Sequence, residues 1–193
     1  MLIGVVAIQG GFEAHEVTLR ELGADVREVK LPADLNGLDG LVIPGGESTT
    51  ISMGIESAGL EPAIRRHHAA GRTVFGTCAG MIVCDDEHLG LIDATAARNA
   101  FGRQLQSFEA DLEVEGLGDE PLRAVFIRAP WVERTGPDVE VLASYEGHPV
   151  AIREGGVLAC AFHPELTDDS RLHAFFMAMT TSARNRAREE AEA

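Results

Sequence analysis

The chain has 193 residues, 45% hydrophobic and 5% aromatic, with 21 glycines, which suits a single α/β domain with a sizeable core and many tight turns. Its formal net charge is −15, and Lys30 is the one lysine among 16 basic residues; this argues against a nucleic-acid partner, which calls for a basic patch. No apolar run is long enough to span a membrane, no basic stretch precedes the first strand as in a secretory signal, and three cysteines without framework spacing fit a reducing cytoplasm.

In chain order, an apolar run over 2–8 predicts a buried strand that leaves into Gln9-Gly10-Gly11. Helical spacing follows over 12–22, with Gly23 as a stop, then a strand over 25–29 closed by Pro32. A third strand over 38–43 ends in Pro44-Gly45-Gly46-Glu47-Ser48-Thr49-Thr50, one or two helices fill 51–70, and a strand over 73–75 follows. Strands and helices in alternation imply a mostly parallel sheet flanked by helices. Beyond Gly90, short strands are predicted at 107–114, 122–127, 139–144, 150–153 and 157–162 as antiparallel or mixed additions to that sheet. Thr167 is placed to cap a final helix with apolar positions at Leu172, Phe175, Phe176 and Met179, and 183–193 reads as a frayed polar tail.

The chemistry concentrates at Val74-Phe75-Gly76-Thr77-Cys78-Ala79-Gly80-Met81, a strand end, a Gly-x-Cys-x-Gly turn and a helix start. This is the thiol form of a nucleophile elbow, in which a sharp strand-to-helix turn lifts one side chain clear of the sheet. A helix N-terminus favours the nucleophilic thiolate at Cys78, although a buried cysteine in a glycine-rich turn fits the stretch taken alone. Downstream, His163-Pro164-Glu165 leaves an apolar run. In extended chain, residues two apart share a face, so Glu165 can fix the imidazole tautomer and leave the other nitrogen for Cys78; a surface turn with a chance histidine is the plainer alternative. Gly45 and Gly46 stand where open α/β folds place ligands, and the amides of Gly46 and Ala79 are candidate oxyanion donors. The same Gly-Gly-Glu-Ser-Thr run also reads as a tight turn with an N-cap. No Cys/His grouping has zinc-ligand spacing.

Gly76-Thr77-Cys78-Ala79-Gly80 together with His163-Pro164-Glu165 resembles the class I, triad-type, glutamine amidotransferases. Three more segments narrow the likeness: Pro44-Gly45-Gly46-Glu47-Ser48-Thr49-Thr50, Arg98-Asn99-Ala100-Phe101-Gly102-Arg103-Gln104 and Phe126-Ile127-Arg128-Ala129-Pro130. Together they resemble the family of glutaminase subunits of pyridoxal 5'-phosphate synthase, over residues 3 to about 178.

The resemblance implies a single-domain class I glutamine amidotransferase-like α/β fold that hydrolyses L-glutamine and passes ammonia to a synthase subunit making pyridoxal 5'-phosphate. It implies Cys78 as nucleophile, His163 as general base and Glu165 as its orienting carboxylate. Gly45, Gly46, Glu47, Arg103, Ile127 and Arg128 match glutamine-binding positions, and Gln9 matches an interface position linked to activation. No cofactor is implied, pyridoxal phosphate being the product of the assembly. One departure is Cys84-Asp85-Asp86-Glu87, where such proteins usually carry apolar residues and then a longer loop. The competing readings are the glutaminase of another amidotransferase, a cysteine hydrolase sharing the elbow, and a binding module that keeps the fold without chemistry.

Overall fold

A computed structural model describes residues 1–98, 100 and 107–192, the last by its backbone alone. Strands β1 (Leu2–Val6), β2 (Asp25–Val29), β3 (Gly40–Ile43) and β4 (Thr73–Thr77) alternate with helices α1 (Phe12–Glu21), α2 (Ser48–Ser57) and α3 (Glu61–Ala69). A 3-10 turn at Pro32–Leu35 takes the place of a helix between β2 and β3. After β4 come α4 (Ala79–Cys84), β5 (Ala94–Ala97), β6 (Ser107–Leu112), β7 (Leu122–Ile127) and β8 (Trp131–Thr135). The chain closes with β9 (Glu140–Tyr145), β10 (His148–Glu154), β11 (Val157–Cys160) and α5 (Arg171–Glu192).

Seven strands form the central sheet in the order β2-β1-β3-β4-β11-β10-β9. Pairing is parallel from β2 to β11 and antiparallel through β10 and β9. Every residue of β3, β4 and β11 is buried, as parallel strands covered on both faces must be. The chain runs from β1 out to β2 and returns to β3 on the other side of β1, so the loops after β1 and β3 leave the carboxyl edge side by side. Such a reversal is where open α/β sheets hold their ligands. There Gly11 N–H donates to Gly45 O at 3.1 Å. Gly10 has φ +102°, and a Cβ on it would lie 1.8 Å from Gly45 O, so the two loops meet only because this residue is glycine.

The late strands depart from expectation. Residues β9 to β11 extend the central sheet, but β6 and β7 form their own two-stranded sheet, as do β5 and β8. Phe108 stacks on Phe126 at 4.6 Å and meets Tyr145 of β9 at 5.1 Å, while Arg123 on the other face bonds Glu109 and Asp111. The β6–β7 ribbon therefore buries one aromatic face against β9 instead of joining an edge. Thr167 does not cap α5, which starts at Arg171; its hydroxyl accepts from Asp169 N, and Asp169 in turn accepts from Arg171 N. No helix among the described residues is long and apolar enough to cross a membrane.

Three histidines are buried in the core. His15 and His173 are fully inaccessible and His67 is nearly so. Burial depresses His15 and His67 to about 4 and His173 to about 3. In the unfolded chain each takes a proton near pH 6.5. Between there and pH 4 the unfolded state binds more protons, so stability falls as pH falls, by up to about 1.4 kcal/mol per pH unit for each histidine. His163, raised to about 10, has the opposite sign: its contribution is complete below 6.5 and is lost only as pH rises toward 10. The thermal midpoint is therefore expected to drop steeply from pH 6.5 to 4.5. A midpoint constant across that window would contradict the assignment of these histidines as buried and neutral.

Candidate active site

The carboxyl ends of β1, β3, β4 and β11, with the end of β7, converge on a cavity of about 250 Å³ whose lining includes Gln9, Gly46, Cys78, Arg128 and His163. Cys78 sits between β4 and α4 at φ +49°, ψ −108°, a region that side-chain-bearing residues adopt only under strain. Two bonds hold it there: its N–H donates to Cys160 O at 2.7 Å, and its carbonyl accepts from Met81 N at 3.1 Å. The predicted elbow is thus present, with the thiol 3.9 Å from Ile127 O at the end of β7.

His163 follows β11, and its N–H donates to Val125 O of β7 at 2.9 Å. The segment Pro164–Leu166 curls into a 3-10 turn instead of the extended chain that was expected. The curl still brings Glu165 back onto the ring, with Oε1 2.7 Å from His163 Nδ1. Burial disfavours the His163 imidazolium, yet hydrogen bonds with Cys78 and Glu165 and the charges of both outweigh it and hold the ring up at about 10. Burial works against the Glu165 carboxylate too; its hydrogen bond with His163, with the His15 and His163 rings beside it, overcomes that desolvation and leaves its carboxyl below the usual range. Cys78 and His163 thus share one cavity wall with Glu165 bonded to the ring, and the imidazole is favoured as imidazolium.

Gly45 and Gly46 follow β3. Gly45 N–H donates to Thr77 Oγ1 at 3.1 Å, and Glu47 N–H donates to Gln9 Oε1 at 2.8 Å. Gly45 O faces Gly11 N, so the planar trans peptide sends Gly46 N–H the opposite way. Glu47 is the N-cap of α2, accepting from Thr49 N at 3.2 Å and Thr50 N at 2.8 Å. Backbone and side-chain bonds from Thr50, with that from Thr49, pull its carboxyl down to about 2. The N-cap reading of this run therefore holds for Glu47, alongside the place of Gly46 on the cavity wall.

Ala79, Ile127 and Arg128 also line the cavity, and Arg128 has φ +44°, a second strained residue at the same mouth. Arg103 lies outside the described residues. Gln9, expected at an interface, stands on the cavity wall with its side-chain carbonyl on the Glu47 amide. A residue not singled out is Arg98, whose Nη2 donates to Glu47 Oε1 at 2.9 Å and to Thr49 Oγ1 at 3.0 Å from the cavity rim. Its place at the head of the Arg-Asn-Ala-Phe-Gly-Arg segment was the signal. The other two cysteines are fully buried, and burial pushes both thiols well up.

A thiol on a strained strand-to-helix turn, beside an imidazole–carboxylate pair at the edge of a largely parallel sheet, is the arrangement of a class I glutamine amidotransferase fold. The chain belongs to the SNO glutamine amidotransferase family, which it matches over residues 5–182. It is 53% identical over 188 residues to the pyridoxal 5'-phosphate synthase subunit PdxT of Mycolicibacterium vanbaalenii, covering 91% of this chain and 96% of that one. It is 50% identical over 191 residues to the PdxT subunit of Deinococcus radiodurans, covering 93% and 97%. A crystal structure described as a glutamine amidotransferase superposes with TM-score 0.88 at 46% identity, covering 93% of this chain and 98% of that one.

Proposed function

We propose that this chain hydrolyses L-glutamine to glutamate and ammonia through Cys78, His163 and Glu165, and delivers the ammonia to a synthase subunit that makes pyridoxal 5'-phosphate. The observation that carries the reading is the His163 ring, held by Glu165 at 2.7 Å and sharing with Cys78 the wall of a cavity of about 250 Å³, in a chain half identical to PdxT subunits along nearly its whole length.

The Cys78 thiolate attacks the carboxamide carbon, and the Gly46 and Ala79 amides receive the oxyanion. Imidazolium His163 then gives its proton to the departing ammonia, leaving a glutamyl thioester. Water, deprotonated by the now neutral ring, attacks the thioester, and the released thiolate and imidazolium restore the starting state. Glu165 keeps its charge throughout and holds Nδ1, so that Nε2 faces the reaction. Arg128 and Arg103 are suited to the substrate carboxylate, since a guanidinium binds it through two parallel hydrogen bonds; Glu47 and the Ile127 backbone complete the glutamine site. Gln9 couples the Gly46–Glu47 loop to the partner surface. A partner that receives ammonia directly keeps it from being lost as ammonium in water.

The test is glutamate release from L-glutamine, with and without a synthase subunit. Release is expected with the partner and to be weak without it. Equal release in both conditions would contradict the partner assignment and leave the glutaminase standing.

A further inference from the structure

Two buried histidines lie directly behind the catalytic line, and the proposed chemistry does not use them. His15 Nε2, from α1, is 3.3 Å from Glu165 Oε2 and 3.1 Å from Thr77 Oγ1. His15 Nδ1 is 2.8 Å from Nε2 of His173 on α5. Neither ring is exposed. Glu165 Oε2 and His173 Nδ1 are buried without a hydrogen-bond partner among the described residues.

The proton positions follow from these contacts. Depressed as they are, both rings are neutral near pH 7, so each has one N–H. If His15 donated from Nδ1 to His173, its bare Nε2 would face the Glu165 carboxylate, lone pair to lone pair. His173 would then carry its own proton on Nδ1, a buried donor with no acceptor. The opposite arrangement removes both conflicts: His173 Nε2–H donates to His15 Nδ1, and His15 Nε2–H points between Thr77 Oγ1 and Glu165 Oε2. The His173 Nδ1 lone pair is then left unused, and the Thr77 hydroxyl, which accepts from both the Gly45 N–H and the His15 ring, turns its own proton away from them.

Resting on the triad reading above, we infer that His15 is a positioning residue, its Nε2–H shared between the second oxygen of Glu165 and Thr77, with its tautomer set by His173. Two parts of the site are tied through this ring. One is the Glu165 carboxylate: this ring faces its rear oxygen and so keeps the other oxygen aimed at His163. The other is the loop after β3, because Thr77 Oγ1 also accepts the Gly45 amide. The titratable groups facing Glu165 are His163 on its own loop, His15 from α1, His173 from α5 and Cys160 at the end of β11; His163 also faces Cys78 and His15. Cys160, its thiol pushed well up by burial, stays neutral through the working range, which leaves His15 as the donor able to act on the carboxylate.

The test compares H15L, which removes the donor, with H15Q, whose side-chain amide can return an N–H to the Nε2 position. Both are assayed for glutamate release in complex with a synthase subunit, as functions of glutamine concentration and pH. H15L is expected to lower kcat about tenfold to a hundredfold, the range for a lost hydrogen bond to a charge, with KM within about twofold. It is also expected to move the alkaline limb, set near 10 by His163, about one unit lower, because a carboxylate no longer held in line with Nδ1 supports the imidazolium less. H15Q is expected to restore most of kcat and the position of the limb. H173L, which frees the tautomer of His15, shifts the limb in the same direction by less, and serves should H15L not fold.

An unmoved limb in both H15L and H173L overturns the inference, as does an equal loss of kcat in H15L and H15Q. Failure of the triad reading is distinguishable, since C78A or H163A would then retain glutamate release.

Discussion

Cys78→Gly is expected to abolish glutamate release and at the same time raise thermal stability. The two effects have separate causes. Loss of the thiol removes the nucleophile, and disabling a triad nucleophile costs on the order of 10⁴-fold or more in rate. The gain in stability comes from the backbone: at φ +49°, ψ −108° a side-chain-bearing residue stores about 1–3 kcal/mol of strain. Glycine relieves that strain, offset by about 0.5–1 kcal/mol for its greater freedom in the unfolded chain. The net is about 1 kcal/mol, or about 2–4 °C in midpoint for a domain of this size. Cys78→Ala keeps the Cβ and hence the strain, so it is expected to be equally inactive with an almost unchanged midpoint. Glutamate release and thermal midpoints of both variants check the pair. If C78G were no more stable than C78A, strain at the elbow would be refuted, and activity in either variant would refute the nucleophile.

Gly80→Ala is expected to give a large loss of stability from one added methyl group. Ordinarily glycine to alanine inside a helix stabilises by about 1 kcal/mol. Here the sign reverses, because a Cβ on Gly80 would lie 1.9 Å from Ile43 O and 2.9 Å from Ile43 C. Those are backbone atoms of β3, a strand buried at every position, and they cannot turn aside as a flexible side chain would. Helix α4 has to lift off the sheet, which carries Ala79 and the Cys78 turn with it. The cost is expected at about 3 kcal/mol or more, with loss of glutaminase activity in whatever fraction folds. Gly59→Ala is the control: a Cβ there meets nothing within 4 Å, but φ is +67°, so only the left-handed backbone cost of about 1–2 kcal/mol applies. Equal losses at the two positions in chemical denaturation would contradict the close approach of α4 to β3.

The half of the fold that holds the elbow was legible because its punctuation is local. Glycine and proline close β1, β2 and β3, and the strands at Asp25–Val29 and Leu122–Ile127 have the bounds read from the pattern alone. What the pattern could not show was which strand pairs with which. Alternation in β6 and β7 marks a buried face without naming what covers it, and that proved to be Tyr145 of β9. Strand β5, Ala94–Ala97, carries three alanines and one threonine, too little β-branched or aromatic surface to announce itself. At the site, Cys78, His163 and Glu165 were found from two short motifs that each form locally. His15 and His173 were not, since each reads as an ordinary polar position on a helix and they meet only across 158 residues of chain.

The most direct measurement of the central claim is covalent: treat the protein with an electrophilic glutamine analogue and locate the label by peptide mass spectrometry. Cys78 stands on the cavity wall beside His163, whereas Cys84 and Cys160 are fully buried with thiols held protonated. The account predicts label on Cys78 alone, with protection by L-glutamine and no label in C78A. Modification of Cys84 or Cys160 in its place, or labelling of Cys78 that glutamine does not slow, would contradict it.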